Sequence, residues 1–372
     1  MRDFVMPALG ADMETGKVVQ WLVRPGDRVK RGDVVAVVET HKGAIDVEIF
    51  LDGLIEDLAP PGTELPVGAV LAHVREEGTA AAGAGSLVPA RPRASPAARQ
   101  RAQALGLDID QLHGTGDEGA VTLADVERAA ATPAAAPAAA AAPPRFDPSS
   151  MRRAIAVAMG RSKREIPHYY LTRAIDCGAA VAWLDAYNRE HAPADRLLAA
   201  ALLLKAAALA LREVPQLNGF YEHEAFRPGA GIHPGWAIAL RGGGLVAPAI
   251  HDADRASLPA LMAAMRELVE RARTGRLRSS EIADPTVTVT SLGERGADAV
   301  LGVIYPPQVA IVGFGRIVPR PWVVDGRLEA RPVLAATLAA DHRASDGHVG
   351  GLLLAAIDRA LQDPPALAGA QP

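Results

Sequence analysis

Two short stretches of this chain bring together residue types that do chemistry. The first is Asp341-His342-Arg343-Ala344-Ser345-Asp346-Gly347. A histidine takes up and releases a proton near neutral pH, so His342 is a candidate general base. Asp346 lies four residues later, close enough to orient a neighbour or to cap a following helix. The second stretch is Glu39-Thr40-His41-Lys42-Gly43-Ala44. A lysine followed by glycine at a hairpin tip projects its amine into solvent, where an enzyme could modify it. Taken singly, each stretch has a plainer explanation: a helix start for H-x-x-x-D, a solvated charge for the lysine.

The elements around Lys42 form an internal repeat. Gly16 is followed by Pro25-Gly26, Val29, Gly32 and Val34-Val35, and Gly53 by Pro61-Gly62, Leu65, Gly68 and Val70-Leu71. Short β-prone runs (Val18-Val19, Val34 to Val38, Ile45 to Phe50, Leu54-Ile55, Val70-Leu71) alternate with Pro, Gly and Asp. Two similar halves imply a pseudo-symmetric β-sandwich or flattened barrel. Lys42 then falls on the hairpin between the halves.

Around His342 the pattern alternates helix and strand. Arg196 to Val214 is apolar on nearly every face apart from Lys205, as a buried helix would be. Leu258, Leu261, Met262, Met265, Leu268 and Val269 follow helical spacing, and that helix should end near Gly275. Pro285 to Ser291 reads as a period-two strand with Thr286, Thr288 and Thr290 on one face. A second strand, Val309 to Phe314, follows Pro306-Pro307, and a final helix runs from about His348 to Gln362. This mixture predicts a two-layer α/β domain.

Between these regions lie two low-complexity stretches. Residues 78–86 read GTAAAGAGS, and residues 129–144 hold eleven Ala, four Pro and one Thr. Interspersed proline breaks the helix that alanine favours, and sixteen extended residues span roughly 50 Å. The piece they bracket has Pro96 at the first position of a helix stopped by Gly106, then Gly114-Thr115-Gly116, then Thr122 capping a helix from Leu123 to Arg128. So short a piece buries little, and Arg91, Arg93, Arg99 and Arg101 suit it to an acidic partner.

Composition narrows the function classes. The chain has 372 residues, 39 basic and 43 acidic, which argues against nucleic-acid binding. One cysteine, Cys177, rules out an intrachain disulfide framework and a multi-cysteine metal site. Met1 to Val5 lacks the apolar core of a signal peptide, and the longest apolar run, Leu197 to Leu211, is interrupted by Lys205 and too short for a bilayer. A cytoplasmic, multidomain protein with neither nucleic acid nor membrane as partner is expected.

These motifs, in this order, resemble the dihydrolipoamide acyltransferases of 2-oxo acid dehydrogenase complexes. Met6-Pro7 through Val74 resembles a lipoyl domain, with His41 and Gly43 where Asp and Ala are usual. S-P-A-A-R, L-G-L-D, G-T-G and V-T-x-x-D-V resemble a peripheral-subunit-binding domain, with Ala120 in place of a basic residue. MRRAIAVAM, SKREIPHYY, GGGLVAPAIHDAD, VTVTSLG, YPPQVAIVGFG and DHRASDG resemble the acyltransferase domain, whose fold is shared with chloramphenicol acetyltransferase. Ser345 stands where an aliphatic residue is usual, a change expected to loosen local packing. The implied architecture is a lipoyl β-sandwich or flattened barrel (1–76), a linker (77–86), a small α-helical peripheral-subunit-binding domain (87–128), an Ala/Pro linker (129–147) and a two-layer α/β chloramphenicol-acetyltransferase-like catalytic domain (148–372).

The resemblance also implies roles. Lys42 would carry lipoate in amide linkage; a biotinyl domain usually has methionine on both sides of its lysine. His342 would be the general base that deprotonates coenzyme A, Asp346 would fix the architecture around it, and Thr290 would hydrogen-bond the tetrahedral intermediate, with Ser291 as fallback should the register differ by one. Cys177 would carry no acyl group, because both thiols belong to substrates. Implied partners are a 2-oxo acid decarboxylase and dihydrolipoamide dehydrogenase, on a core of homotrimers with active sites between subunits. Acetyl is the first choice of acyl group. The rival reading is a non-catalytic lipoyl and docking scaffold.

Overall fold

In a computed structural model, residues 1–9, 13–40, 43–75, 96–105, 115–116, 120–131, 148–240, 244–293 and 296–369 are described. Lys42, Arg91, Arg93 and most of the two low-complexity stretches lie outside them. The chain divides into two compact units, residues 1–76 with 146–372, and residues 77–145.

The N-terminal region holds eight strands: β1 (Arg2–Val5), β2 (Thr15–Trp21), β3 (Arg28–Val29), β4 (Val34–Thr40), β5 (Gly43–Glu48), β6 (Gly53–Leu58), β7 (Glu64–Pro66) and β8 (Val70–Arg75). They form two sheets, β1-β8-β6-β3 and β5-β4-β2-β7, the second extended beyond β5 by a strand from the C-terminal region. The repeat read in the sequence is a conformational one. Gly26, Gly32, Gly62 and Gly68 all have φ between +86° and +94°, which side chains rarely adopt. Corresponding turns make corresponding bonds: Gly26 N–H donates to Ile55 O and Gly62 N–H to Val18 O. Between the sheets lie buried residues including Met6, Val18, Val35, Val38, Val47, Ile55, Leu71 and Val74. In the β4–β5 hairpin Thr40 stands opposite Gly43.

Residues 77–145 contain α1 (Pro96–Leu105) and α2 (Leu123–Ala131). Helix α2 runs three residues past the expected Arg128, because Ala129 to Ala131 favour helix and the first proline comes at 133. The core is Ala98, Ala102, Val121 and Val126. A polar hub compensates for its size. The buried Asp125 carboxylate accepts from the backbone N–H and hydroxyl of both Thr115 and Thr122, at 2.7–3.0 Å. Those bonds hold the Asp125 carboxyl well below the usual carboxylate range.

The C-terminal region opens with α3 (Pro148–Glu165), β9 (His168–Asp176), α4 (Gly178–Glu190) and α5 (Ala199–Glu213). Short strands follow: β10 (Gly219–Glu222), β11 (Ala225–Pro228), β12 (Pro234–Trp236), β13 (Ile238–Ala239) and β14 (Leu245–Val246). Then come α6 (Leu258–Thr274), β15 (Leu277–Arg278), α7 (Ser279–Ala283), β16 (Val287–Ser291), β17 (Ala310–Phe314), β18 (Val318–Val324), β19 (Arg327–Asp341), α8 (Gly347–Gln362) and α9 (Pro364–Ala368). The main sheet runs β12-β16-β17-β19-β18, with β9 also paired to β19. Strands β12, β16 and β17 are parallel, whereas β17–β19, β18–β19 and β19–β9 are antiparallel. Helices α5, α6 and α8 supply much of the apolar layer packed with this sheet, Met262 and Met265 included. Helix α6 is capped by the Ser257 hydroxyl and stopped by Gly275 at φ +71°.

Lys205 departs from a simple sequence reading of an apolar helix with one polar interruption. It is fully buried on α5, and its ammonium donates to the carbonyls of Ala253, Asp254 and Ala256 at 2.6–3.3 Å. The lysine ties the loop before α6 to the core helix.

Candidate active site

His342 is the first residue beyond β19, and the turn that presents it is held from several sides. The buried Asp341 donates its N–H to Val309 O, and His342 donates its N–H to Pro167 O at 3.0 Å. The Asp341 carboxylate accepts from Arg343 three ways: backbone N–H at 2.9 Å, Nε at 3.0 Å and Nη2 at 2.7 Å. The Arg343 guanidinium also lies 4.1 Å from the centre of the Tyr221 ring. With both neighbours engaged, the imidazole of His342 stays exposed.

One side chain that the sequence did not single out packs against it. The Tyr169 ring on β9 meets the His342 ring edge-on, with centroids 5.2 Å apart. The Tyr169 hydroxyl pairs with Ser345 Oγ at 2.9 Å, so Ser345 anchors this contact rather than loosening it. Burial pushes the Tyr169 phenol up, keeping it protonated near neutral pH. The only sequence signal was indirect: Ser345 in a position usually aliphatic.

Asp346 takes the capping option. Its Oδ1 accepts from the backbone N–H groups of His348 (2.9 Å) and Val349 (3.0 Å) at the start of α8. The bond from Val349 is the main cause of its lowered pKa, with smaller help from His348 and His342. The carboxylate thereby sets where the helix begins relative to His342.

The threonine face of β16 is only partly free. Thr286 donates to Asn218 Oδ1 and Thr288 to Gln308 Oε1, both at 2.6 Å. Both are buried, although on the face opposite Val287 and Val289, as expected of a central parallel strand covered on both sides. Thr290 and Ser291, at the strand end, are half-buried. Ser291 Oγ accepts from Gly293 N–H at 3.3 Å.

Thr290 and His342 do not meet within one chain. Thr290 pairs with Gly313, and Gly313 with Thr337. Asp341 is four residues further along β19, about 13 Å away at ~3.3 Å per residue, and His342 lies beyond it. Cys177 is buried and its thiol is pushed up to about 12 by burial, so it is no nucleophile. A cavity of about 400 Å³ is lined by residues including Met151, Phe220, Thr288, Tyr305 and Gln308, with Ala8 of the N-terminal region on its wall. Among the described residues there is no cluster of potential metal ligands, and no helix is long and apolar enough to cross a membrane.

A two-layer α/β domain with a braced, exposed histidine, in one chain with a pseudo-symmetric β-sandwich and a two-helix module, defines a multidomain acyltransferase. Three family models match in order: "Biotin-requiring enzyme" over residues 2–74, "e3 binding domain" over 92–127, and "2-oxoacid dehydrogenases acyltransferase (catalytic domain)" over 142–368. The chain belongs to this family of 2-oxoacid dehydrogenase acyltransferases. It is 31% identical to the dihydrolipoyllysine-residue acetyltransferase component of the pyruvate dehydrogenase complex of Rhizobium meliloti (strain 1021), over 97% of this chain and 98% of that one. It is 30% identical to the lipoamide acyltransferase component of the branched-chain alpha-keto acid dehydrogenase complex of Pseudomonas putida, with the same coverage. A solved structure of Azotobacter vinelandii dihydrolipoamide acetyltransferase, studied for the role of a serine, a histidine and an asparagine in its catalytic mechanism, is 29% identical. It superposes with a TM-score of 0.55 over 58% of this chain and 90% of that chain.

Proposed function

We propose that this protein transfers an acetyl group to coenzyme A from a lipoyl group held in amide linkage by Lys42. The β4–β5 pairing, with Thr40 opposite Gly43 on either side of Lys42 in the sequence, fits a lysine offered for modification. When attached, the lipoyl group supplies a dithiol that can hold an acyl group as a thioester. His342 takes the proton from the incoming coenzyme A thiol and returns it to the departing sulfur. Thr290 Oγ1 donates a hydrogen bond to the carbonyl oxygen as negative charge develops there. Asp346 acts on His342 through the start of α8.

The observation that carries this reading is a matched spacing. In the Azotobacter protein the serine precedes the histidine by 52 residues and the asparagine follows it by four. Thr290, His342 and Asp346 repeat both intervals here. The match favours Thr290 over Ser291. Because these groups are far apart within one chain, each active site takes His342 from one copy and Thr290 from another, in a trimer that builds a larger core. The two-helix module docks the decarboxylase, dihydrolipoamide dehydrogenase or both. The cytoplasm is the proposed compartment.

The Pseudomonas relative, at nearly the same identity, makes branched-chain transfer the second reading. Rates of the reverse reaction with acetyl-, succinyl- and isobutyryl-coenzyme A separate them. Fastest transfer from the acetyl thioester supports the proposal, and fastest transfer from isobutyryl supports the second. The scaffold reading is tested by the same assay, since it requires no transfer with any of the three.

A further inference from the structure

The N-terminal sandwich does not end at its own edge. Strand β5 pairs in parallel with β15, Ile45 opposite Leu277 and Asp46 opposite Arg278. Without β15, β5 would be an edge strand with unpaired backbone groups. Its inward residues Ile45 and Val47 belong to the sandwich core. Asp46 and Glu48 alternate with them and face outward, where the C-terminal region supplies partners. Arg276 Nη2 stands 3.6 Å from Asp46 Oδ2, and Arg278 Nη1 4.0 Å from Glu48 Oε1. Glu48 is only 6% exposed. Its backbone N–H donates to Ser279 Oγ at 3.0 Å, and its Oε2 accepts from Ser280 N–H at 3.2 Å and from Ser279 Oγ at 3.5 Å.

The receiving edge is braced from behind. Glu281 accepts from Arg278 N–H at 2.9 Å and from Arg271 Nη2 at 2.6 Å, which holds residues 278–281 in shape. Apolar contact across the seam is slight: Ile282 packs against both cores. The interface is therefore main-chain pairing plus complementary charge, a combination suited to strand addition and to release.

We propose that residues 276–280 form a docking station for the sandwich module of this same protein, entered by strand addition alongside β5 and left again when the module visits other sites. The docked edge begins three residues after Lys42, so the station catches the module by the strand that follows its modified residue. Docking also seats Ala8 on the wall of the cavity that Thr288 lines. Its purpose rests on the carrier reading of Lys42; its test does not.

The test uses the full-length lipoylated protein, with the lipoyl ring oxidised so that it offers no free thiol. Asp46→Cys and Arg278→Cys are combined; the native Cys177 is buried and unreactive. Directly paired residues have the Cα separation a disulfide needs. Mild oxidation should produce a cross-link, seen as a mobility shift reversed by reductant. A short bismaleimide should bridge the same thiols where disulfide geometry does not close. Adding Glu48→Lys should lower the yield about tenfold, since it replaces the buried carboxylate that accepts from Ser279 and Ser280 with an unpaired ammonium facing the same donors. A yield no greater than that of a control pair, Asp46→Cys with Arg359→Cys, by both chemistries would overturn the station. So would a yield indifferent to Glu48→Lys. Loss of acyl transfer in His342→Ala with the cross-link intact would leave the station standing, and an unlipoylated Lys42 would remove only its purpose.

Discussion

Asp341 and Arg343 form a two-pronged ion pair across the residue between them, His342, with Asp341 fully buried and Arg343 about one-third exposed. A chain that exposes an imidazole at the end of a buried strand needs the turn to be stiff. The ion pair supplies that stiffness next to the group proposed above as the base. Removing Arg343 leaves a buried carboxylate without its cation. Arg343→Ala should cost about 3 kcal/mol, the low end for a broken buried pair because the guanidinium is partly in water. That corresponds to a drop of about 6–12 °C in the Tm of a domain this size. Arg343→Lys, keeping charge but losing the bidentate fork, should fall between the two. A scan in which Arg343→Ala melts with wild type would mean the pair is not structural.

His342→Ala should lower the rate of coenzyme A-dependent transfer by about 10²–10⁴. Thr290→Val should lower it about a hundred- to thousandfold through kcat, while Ser291→Ala should change it little. If Ser291→Ala is the damaging change, the hydrogen-bond donor to the carbonyl is Ser291.

On the proposed mechanism Tyr169, held by Ser345, is a positioning residue for His342. Ser345→Ala and Tyr169→Phe remove the same hydrogen bond, each costing about 1 kcal/mol, about fivefold in kcat. Their double variant should be no worse than either single one, with KM unchanged. Additive losses would show that the two side chains act separately.

The Asp125 hub predicts acid sensitivity in the two-helix module. Its folded pKa is depressed, chiefly by bonds from Thr115 and Thr122, so its contribution is present above the unfolded value, about 3.9, and fades as pH falls through the lower folded value. Hydrogen-exchange protection factors over residues 120–131 of the full chain, corrected for the intrinsic pH dependence of exchange, should fall below about pH 4. Asp125→Asn, whose amide has one acceptor oxygen for four donors, should show fast exchange even at neutral pH.

His251 runs the other way. Its hydrogen bond to Asp284, at 2.9 Å, raises its pKa, so the contact contributes fully below the unfolded value near 6.5 and is lost as pH rises through the folded one. Nuclear magnetic resonance titration of the His251 ring should give a midpoint above 6.5 that returns toward it in Asp284→Asn.

Much of this protein was legible as sequence because its signals are local. Glycine permits the positive φ that a tight turn requires, so Gly26, Gly32, Gly62 and Gly68, recurring at one spacing, announce a duplicated β-fold without any tertiary information. The same holds for Pro96 starting α1, Gly275 ending α6 and Asp346 starting α8, since each acts within one turn of its own helix. The motif order identified the family for a similar reason: each motif is a short, contiguous set of residues.

Only the tertiary structure decided the rest, because those relationships join residues far apart in the chain and leave no periodic trace. Lys205 reads as an interruption of an apolar helix until three carbonyls from residues 253–256 converge on it. Ser345 reads as a loss of packing until Tyr169, 176 residues away, arrives to bond it. The outward charges Asp46 and Glu48 read as an ordinary sheet surface until residues 276–280 meet them. The proposed reaction joins Thr290 and His342, but the sheet that carries them holds them apart within one chain. Strand order sets that separation, through backbone hydrogen bonds that form almost whatever the side chain, and so the residues themselves do not record it.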